Sequence, residues 1–225
     1  MGYKYQMHAH TSPCSACGRT LPEQLGRSLY EGGYQGCVLT NHFHGGNSGI
    51  DRGLPWKDFV EEYVRDWEAC AGYAARYDID VIFSIEEHLG GGREILCYGI
   101  TPEILLSHPE LINHRIEDYA AVMAEAGGLV IQAHPFRRRG YITDAALFEE
   151  VFLDGIEVCN MANAPEMNAE AEAEAERHPD WILVCGGDAH NAASLCIGGI
   201  ETERRMREPS ELVAILKSRE YRLIK

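Results

Sequence analysis

Residues 129–135 read Leu-Val-Ile-Gln-Ala-His-Pro. An apolar run of this length and β-branched content, bounded by glycine before and proline after, has the character of a strand covered on both faces. His134 follows it at once, and Pro135 stops the chain from continuing into helix. Residues 182–190 repeat the plan: Ile-Leu-Val-Cys, then Gly186-Gly187, then Asp188-Ala189-His190. Outward from these two stretches, further strand candidates lie at 3–8, 36–40, 81–85, 95–99 and 155–159. Helical signals separate most of them. Thr20-Leu21-Pro22-Glu23 forms a capping box closed by Gly32-Gly33. Phe59, Tyr63, Trp67, Cys70 and Ala74 mark one face at a 3.6 period, and residues 116–126 end at Gly127-Gly128. Residues 145–152, 166–177 and 211–217 complete the helical set. Strand–helix alternation implies a parallel sheet with right-handed crossovers, in one domain over residues 1–225.

The polar residues decide between an open sheet and a closed one. His8-Ala9-His10 follows the first strand, His42 the second, and Glu86 ends the third. His134 follows the strand at 129–132, and Asp188 with His190 follows the strand at 182–185. Each therefore sits at or just past the carboxyl end of a strand. In a barrel of parallel strands those ends converge on one mouth, where active sites are built. Scattered structural histidines have no reason to choose that position repeatedly. Glu86 has two oxygens and can bridge two ions, and Asp188 adds charge to hold them. Mixed imidazole and carboxylate donors suit Zn²⁺, Mn²⁺ or Fe²⁺ better than Ca²⁺ or Mg²⁺.

Composition narrows the substrate. The chain has 225 residues, 35 acids against 20 Lys and Arg, and a net charge of −15. Such a surface repels polyanions, so a long nucleic acid is a poor partner and a small phosphorylated substrate a better one. Arg137 follows His134-Pro135 directly, where its guanidinium matches phosphate oxygens in a bidentate fork. Asp188, His190 and Arg137 are the candidate catalytic side chains. No run of roughly 18 apolar residues suggests a membrane span. The start of the chain lacks the apolar stretch of a signal peptide. Cys37, Cys97, Cys159 and Cys185 lie in apolar runs and read as reduced core residues of a cytoplasmic protein. Oligomeric state is not legible.

The order His8-x-His10-Thr11, Thr40-Asn41-His42, Ile85-Glu86, Ala133-His134-Pro135 and Gly187-Asp188-Ala189-His190 resembles the PHP (polymerase and histidinol phosphatase) family, over residues 8 to 190. The resemblance implies an α/β fold, a distorted (β/α)7 TIM-like barrel, with two or three divalent metal ions and phosphoester hydrolysis. It would give the first ion His8, His10, Glu86 and Asp188. Glu86 would bridge to a second ion bound by His134, and a third would take His42 and His190. Three departures stand out. Asn41 replaces the aspartate commoner in the family, which removes a carboxylate from behind the ligands. Cys14-Ser15-Ala16-Cys17 occupies a stretch that usually supplies a ligand, and Cys17 is the better-placed substitute. Arg93-Glu94 stands where a ligand histidine is often found, so Glu94 or His88 must serve. Competing functions are a C–N hydrolase of the amidohydrolase kind and a non-catalytic metal-binding regulatory domain. The first often uses a modified lysine, and no lysine lies near a suitable strand end.

Overall fold

The computed structural model describes residues 2–225, and its order of elements follows the sequence pattern with three further strands and one further helix. Strand β1 (Tyr3–Ala9) leads to helix α1 (Pro22–Glu31), β2 (Gly36–Leu39), the long α2 (Trp56–Ala74) and β3 (Asp80–Phe83). A hairpin of β4 (Glu86–His88) and β5 (Glu94–Tyr98) follows, then α3 (Pro102–Ser107), α4 (Ile116–Ala126) and β6 (Leu129–Gln132). The chain continues through β7 (Gly155–Asn160), α5 (Pro165–Ala175), β8 (Ile182–Gly186), β9 (Gly199–Thr202), α6 (Pro209–Ser218) and β10 (Tyr221–Ile224). Among the described residues, no helix is long and apolar enough to cross a membrane.

The α/β class is as expected, but the sheet is not uniformly parallel. Hydrogen bonds organise the strands into two five-stranded mixed sheets, ordered β10-β9-β1-β2-β3 and β4-β5-β6-β7-β8. Strand β5 runs antiparallel to both β4 and β6, because Gly90, Gly91 and Gly92 turn the chain back with φ of 95°, 68° and 91°. Only glycine adopts three such values in succession at little cost. Strand β9 is antiparallel to β1 and β10. No closed ring of strand pairing is present among the described residues. Isolated bridges at Ala9–Ala189 and His42–Glu86 join one sheet to the other.

Side-chain alternation places the core. Tyr5, Met7, Val38, Ile82, Leu96, Tyr98, Leu129, Ile131 and Val184, from both sheets, pack together with Leu212 and Leu216 of α6. The intervening Cys37, Leu39 and Val81 face outward against Leu25, Leu29, Cys70 and Ala74 of α1 and α2. Both faces of these strands are thus apolar, as their unbroken runs required. Cys37, Cys97, Cys159 and Cys185 are buried free thiols. The helix expected over 145–152 is instead irregular up to a single 3₁₀ turn at Glu150–Phe152. Gln132 at the end of β6 claims its backbone: Phe148 N–H donates to Gln132 Oε1 and Gln132 Nε2 donates to Ala146 O.

Candidate metal centre

The carboxyl ends of β1, β2, β6 and β8 and the start of β5 meet at one place. Because β5 is reversed, its first residue rather than its last reaches that end, and this delivers Glu94. His8 and His10 lie two residues apart on the extended end of β1, so alternation aims both rings the same way. Donor atoms fall into four overlapping groups, each within 4.8 Å: His8, His10 and Asp188; His8, Glu86 and His134; His42, Glu86 and Glu94; His10, His42 and His190. Every histidine and carboxylate assigned to metal from sequence is therefore in the cluster. Cys17 joins at its edge, with Sγ 3.1 Å from His190 Nε2. Cys14 does not, being buried in the core with Phe59 and Tyr63. His88 also turns away and accepts a hydrogen bond from Gly92 N–H.

The fit to a cation rests on unsatisfied atoms. His8 Nε2, His10 Nε2, His42 Nδ1 and Glu86 Oε2 are buried without a well-aligned hydrogen bond, although they crowd one another, His42 Nδ1 lying 2.8 Å from Glu86 Oε2. Four orphaned lone-pair donors converging in one fully buried site would be costly unless a cation completes them. Their other ring atoms are anchored. His8 Nδ1 donates to Glu157 Oε1 at 3.0 Å, His10 Nδ1 lies 3.1 Å from Ser15 Oγ, and His190 Nδ1 donates to Asp188 O at 2.9 Å. Hydrogen bonds of this kind fix the tautomer and orient the free nitrogen.

Charges in the site are mutually compensated. Burial alone would lower His8, but Glu86, Glu157 and Asp188 hold its protonation well above the ordinary imidazole range. Burial and Arg137 likewise oppose protonation of His134, and hydrogen bonds to Glu86 and Glu94 reverse this to about 9. Burial and the neighbouring His42 push His10 down to about 3. Burial would also raise Glu86 and Asp188, yet the histidines around them keep both well below the usual carboxylate range. Burial raises the Cys17 thiol, and hydrogen bonds to His190 and His42 outweigh it, leaving about 6. Positive charge is thus drawn to the positions where a divalent cation would place it.

Arg137 reaches the cluster but is not a free fork. Its Nη1 lies 2.7 Å from Asp188 Oδ2, while Nε and Nη2 donate to Asn163 and Asn160. Two of its five N–H groups stay uncommitted. His134 and Asp188 hold φ of 28° and 49°, values that L residues adopt under constraint and that concentrate at functional sites. Gly186 is needed for closeness rather than flexibility, since a Cβ there would fall 2.2 Å from Glu157 Oε1 and 2.6 Å from His8 Cβ.

Sequence reasoning missed two carboxylates. Glu157, inside the apolar run 155–159, braces His8, the His134 backbone N–H and Asn160. Only its position as the single charge in that run could have drawn notice. Asp66, on α2, binds Asn41 and Thr11, so the carboxylate removed at position 41 returns from a helix.

Solved structures with this arrangement of elements are known. A two-domain protein from Bacteroides vulgatus, described as containing a predicted PHP-like metal-dependent phosphoesterase, superposes with a TM-score of 0.70 at 16% identity. The match covers 99% of this chain and 64% of that one. The fold is that of the PHP-like proteins. An amidohydrolase from Chromobacterium violaceum, solved with sulfate and no metal, gives 0.60 at 16% identity over 95% and 96% of the two chains. A lesion-specific endonuclease from Pyrococcus furiosus gives 0.63 at 12%, over 99% of this chain and 58% of that one. This chain therefore spans under two thirds of the first and third of these PHP-fold neighbours. No protein-family model matches it, and no curated protein matches it by sequence.

Proposed function

We propose that this chain is a metal-dependent phosphoesterase acting on a small phosphomonoester or short phosphodiester. The observation that carries the reading is the convergence of four orphaned donor atoms from His8, His10, His42 and Glu86. The two sheets are read as halves of a distorted (β/α)7 barrel. On this reading strands β3 and β4 count as one stave, and the isolated Ala9–Ala189 bridge marks where the two halves would meet at the mouth.

His8, His10, Glu86 and Asp188 would hold a first ion, and Glu86, His134 and Glu94 a second. His42, His190 and Cys17 would hold a third, so two or three Zn²⁺, Mn²⁺ or Fe²⁺ ions are expected. Bound there, such ions supply Lewis-acid polarisation of the phosphoryl group and a water acidic enough to attack at neutral pH. The protein's own part is positional. Glu157 and Ser15 hold the His8 and His10 rings, and Arg137 holds Asp188 while offering its two spare N–H groups to a phosphoryl oxygen. His190, the most exposed of the five site histidines at 30% of its side chain, borders the opening and is placed to exchange a proton with the leaving group.

The same fold serves an endonuclease, so architecture alone does not choose the substrate. Charge does: at −15, with Arg138 already paired to Glu170, a long polyanion gains few contacts. A C–N hydrolase that uses a modified lysine is disfavoured, because Lys57, Lys217 and Lys225 pair with Glu61, Gly127 O and Glu172, and Lys4 lies near the start of β1 rather than its end. The deciding experiment assays purified protein, supplied with Mn²⁺ or Zn²⁺, against phosphomonoesters, phosphodiesters, amides and single- and double-stranded DNA. Turnover of small esters is expected. Turnover of amides or long DNA with small esters untouched overturns the reading.

A further inference from the structure

Helix α2 buries one face through Phe59, Val60, Tyr63, Asp66, Cys70 and Ala74. Five of these are what a buried helix face requires. Asp66 is not, being only 8% exposed with no cationic partner among the described residues. A carboxylate buried without a cation is poor stability design, so its hydrogen bonds need a reason. Asp66 Oδ2 accepts from Thr11 Oγ1 at 2.7 Å and from Asn41 Nδ2 at 2.9 Å. A carboxylate accepts only, so it fixes which end of the Asn41 amide faces it: the NH₂. The amide oxygen then faces away and accepts from Thr11 N–H at 2.7 Å and Ser15 Oγ at 2.9 Å. With its one proton given to Asn41, Ser15 Oγ has only lone pairs left. It accepts from His42 N–H at 2.9 Å and faces His10 Nδ1 at 3.1 Å. Nothing but a proton on Nδ1 satisfies that last contact.

We propose that Asp66 is a positioning residue: it sets the direction of the chain Asp66–Asn41–Ser15–His10 and so locks His10 in its Nδ1-protonated tautomer, with the Nε2 lone pair turned to the centre. The value of this role to the protein rests on the metal-centre reading above, but the chain of hydrogen bonds does not. Its strength is that no link can be reversed alone. Flipping Asn41 would set its NH₂ against Thr11 N–H and its oxygen against the Asp66 carboxylate.

The test is long-range ¹H–¹⁵N correlation of histidine side chains in metal-free protein at pH 7, with zinc affinity measured by chelator competition. In the parent, His10 should be a single Nδ1–H tautomer. Asp66→Asn can present its own amide to Asn41 and removes the fixed direction. It should give mixed His10 tautomers and a loss of roughly tenfold or more in zinc affinity, the usual range when a partner behind a ligand is removed. Ser15→Ala breaks the last link without touching α2, and should give the same tautomer mixing should Asp66→Asn fail to fold. A His10 that stays wholly Nδ1-protonated in whichever variant folds overturns the proposal, since a merely structural aspartate would alter melting temperature and leave the tautomer alone. A parent that binds no zinc overturns the metal reading instead, while the tautomer still decides the role of Asp66.

Discussion

Glu86 and Glu87 are consecutive, equally buried at 0% exposure, and chemically opposite. Glu86 faces His8, His42 and His134, with Oε2 2.8 Å from His42 Nδ1 but without a well-aligned hydrogen bond, and its carboxyl is held well below the usual range. Glu87 faces the other way. Its oxygens accept from Gly45 N–H, His88 N–H and the Tyr119 hydroxyl, and burial pushes its carboxyl up to about 8. His42 and His44 divide by position: the first joins the cluster, and the second, two residues on, pairs through Nδ1 with His114 Nε2 at 2.9 Å and keeps its unpartnered Nε2 outside the cluster. Burial therefore does not separate a ligand from a structural residue here. What separates them is whether the partners leave lone pairs free and pointing at one spot. The two faces of strand β4 hold similar residues turned to opposite surroundings.

The largest effect expected from that contrast is in paired substitutions. Glu86→Gln should remove ion binding and lower turnover on the order of a thousandfold or more, several kcal/mol of lost charge stabilisation. Glu87→Gln keeps shape and most hydrogen bonding, and should hold full metal content with activity within a few-fold. Equal damage in the two variants would erase the distinction. Next comes the cysteine pair. Cys17→Ser should release about one equivalent of metal by elemental analysis, because the thiolate would serve a single ion. Cys14→Ser, in the core, should release none.

Arg137 sharpens the comparison on a smaller scale. Arg137→Ala is expected to cost roughly tenfold or more in kcat/KM, about 1.4 kcal/mol or above. Its contact with Asp188 means the loss should fall on metal retention as well as on phosphate binding. A drop in kcat/KM with metal content unchanged would confine Arg137 to the substrate.

Strand ends were the legible part of the site. His8, His10, His42, Glu86, His134, Asp188 and His190 sit where one period-2 pattern meets a loop, and local sequence carries that information. Glu94 was readable only as a substitute, since nothing local announces that β5 is reversed and starts at the mouth; the three glycines before it were the available clue. Glu157 and Asp66 were hidden for a common reason. Glu157 is the one charge in an otherwise apolar strand, and Asp66 is the one buried charge on a helix that carries six others; the partners lie far away in sequence, 149 residues for His8 and 55 for Thr11. The uniformly parallel order was over-read, because alternation of strand and helix fixes neither hairpin direction nor hydrogen-bonded sheet boundaries. The 145–152 helix failed through Gln132, a tertiary claim on backbone groups that propensity does not register.

The smallest effect concerns pH, and it isolates Glu87 from the ligands. Its carboxyl is raised from 4.5 in the open chain to about 8 in the fold, where burial is the largest cause and the Glu94 charge adds to it. Between those values the folded protein keeps a proton that the unfolded chain has released. Stability must then fall as pH rises through this window, by the linkage between proton uptake and unfolding. The stabilising contribution is fully present below about 4.5 and lost by the upper value. Glu86 and Asp188 act in the opposite sense and at lower pH, since their depressed carboxyls lose stability only as pH falls. Metal-free protein, held so with chelator, should show a melting temperature that declines between pH 5 and 8. Each kcal/mol is worth roughly 2–4 °C for a chain of this size. Glu87→Gln, which is neutral throughout, should flatten that decline. Because the histidines of the cluster titrate in both proteins, their share of the slope cancels in the difference. A decline of equal steepness in the two proteins would mean that Glu87 is ionised in the fold, and that the two faces of the strand are not electrostatically opposed.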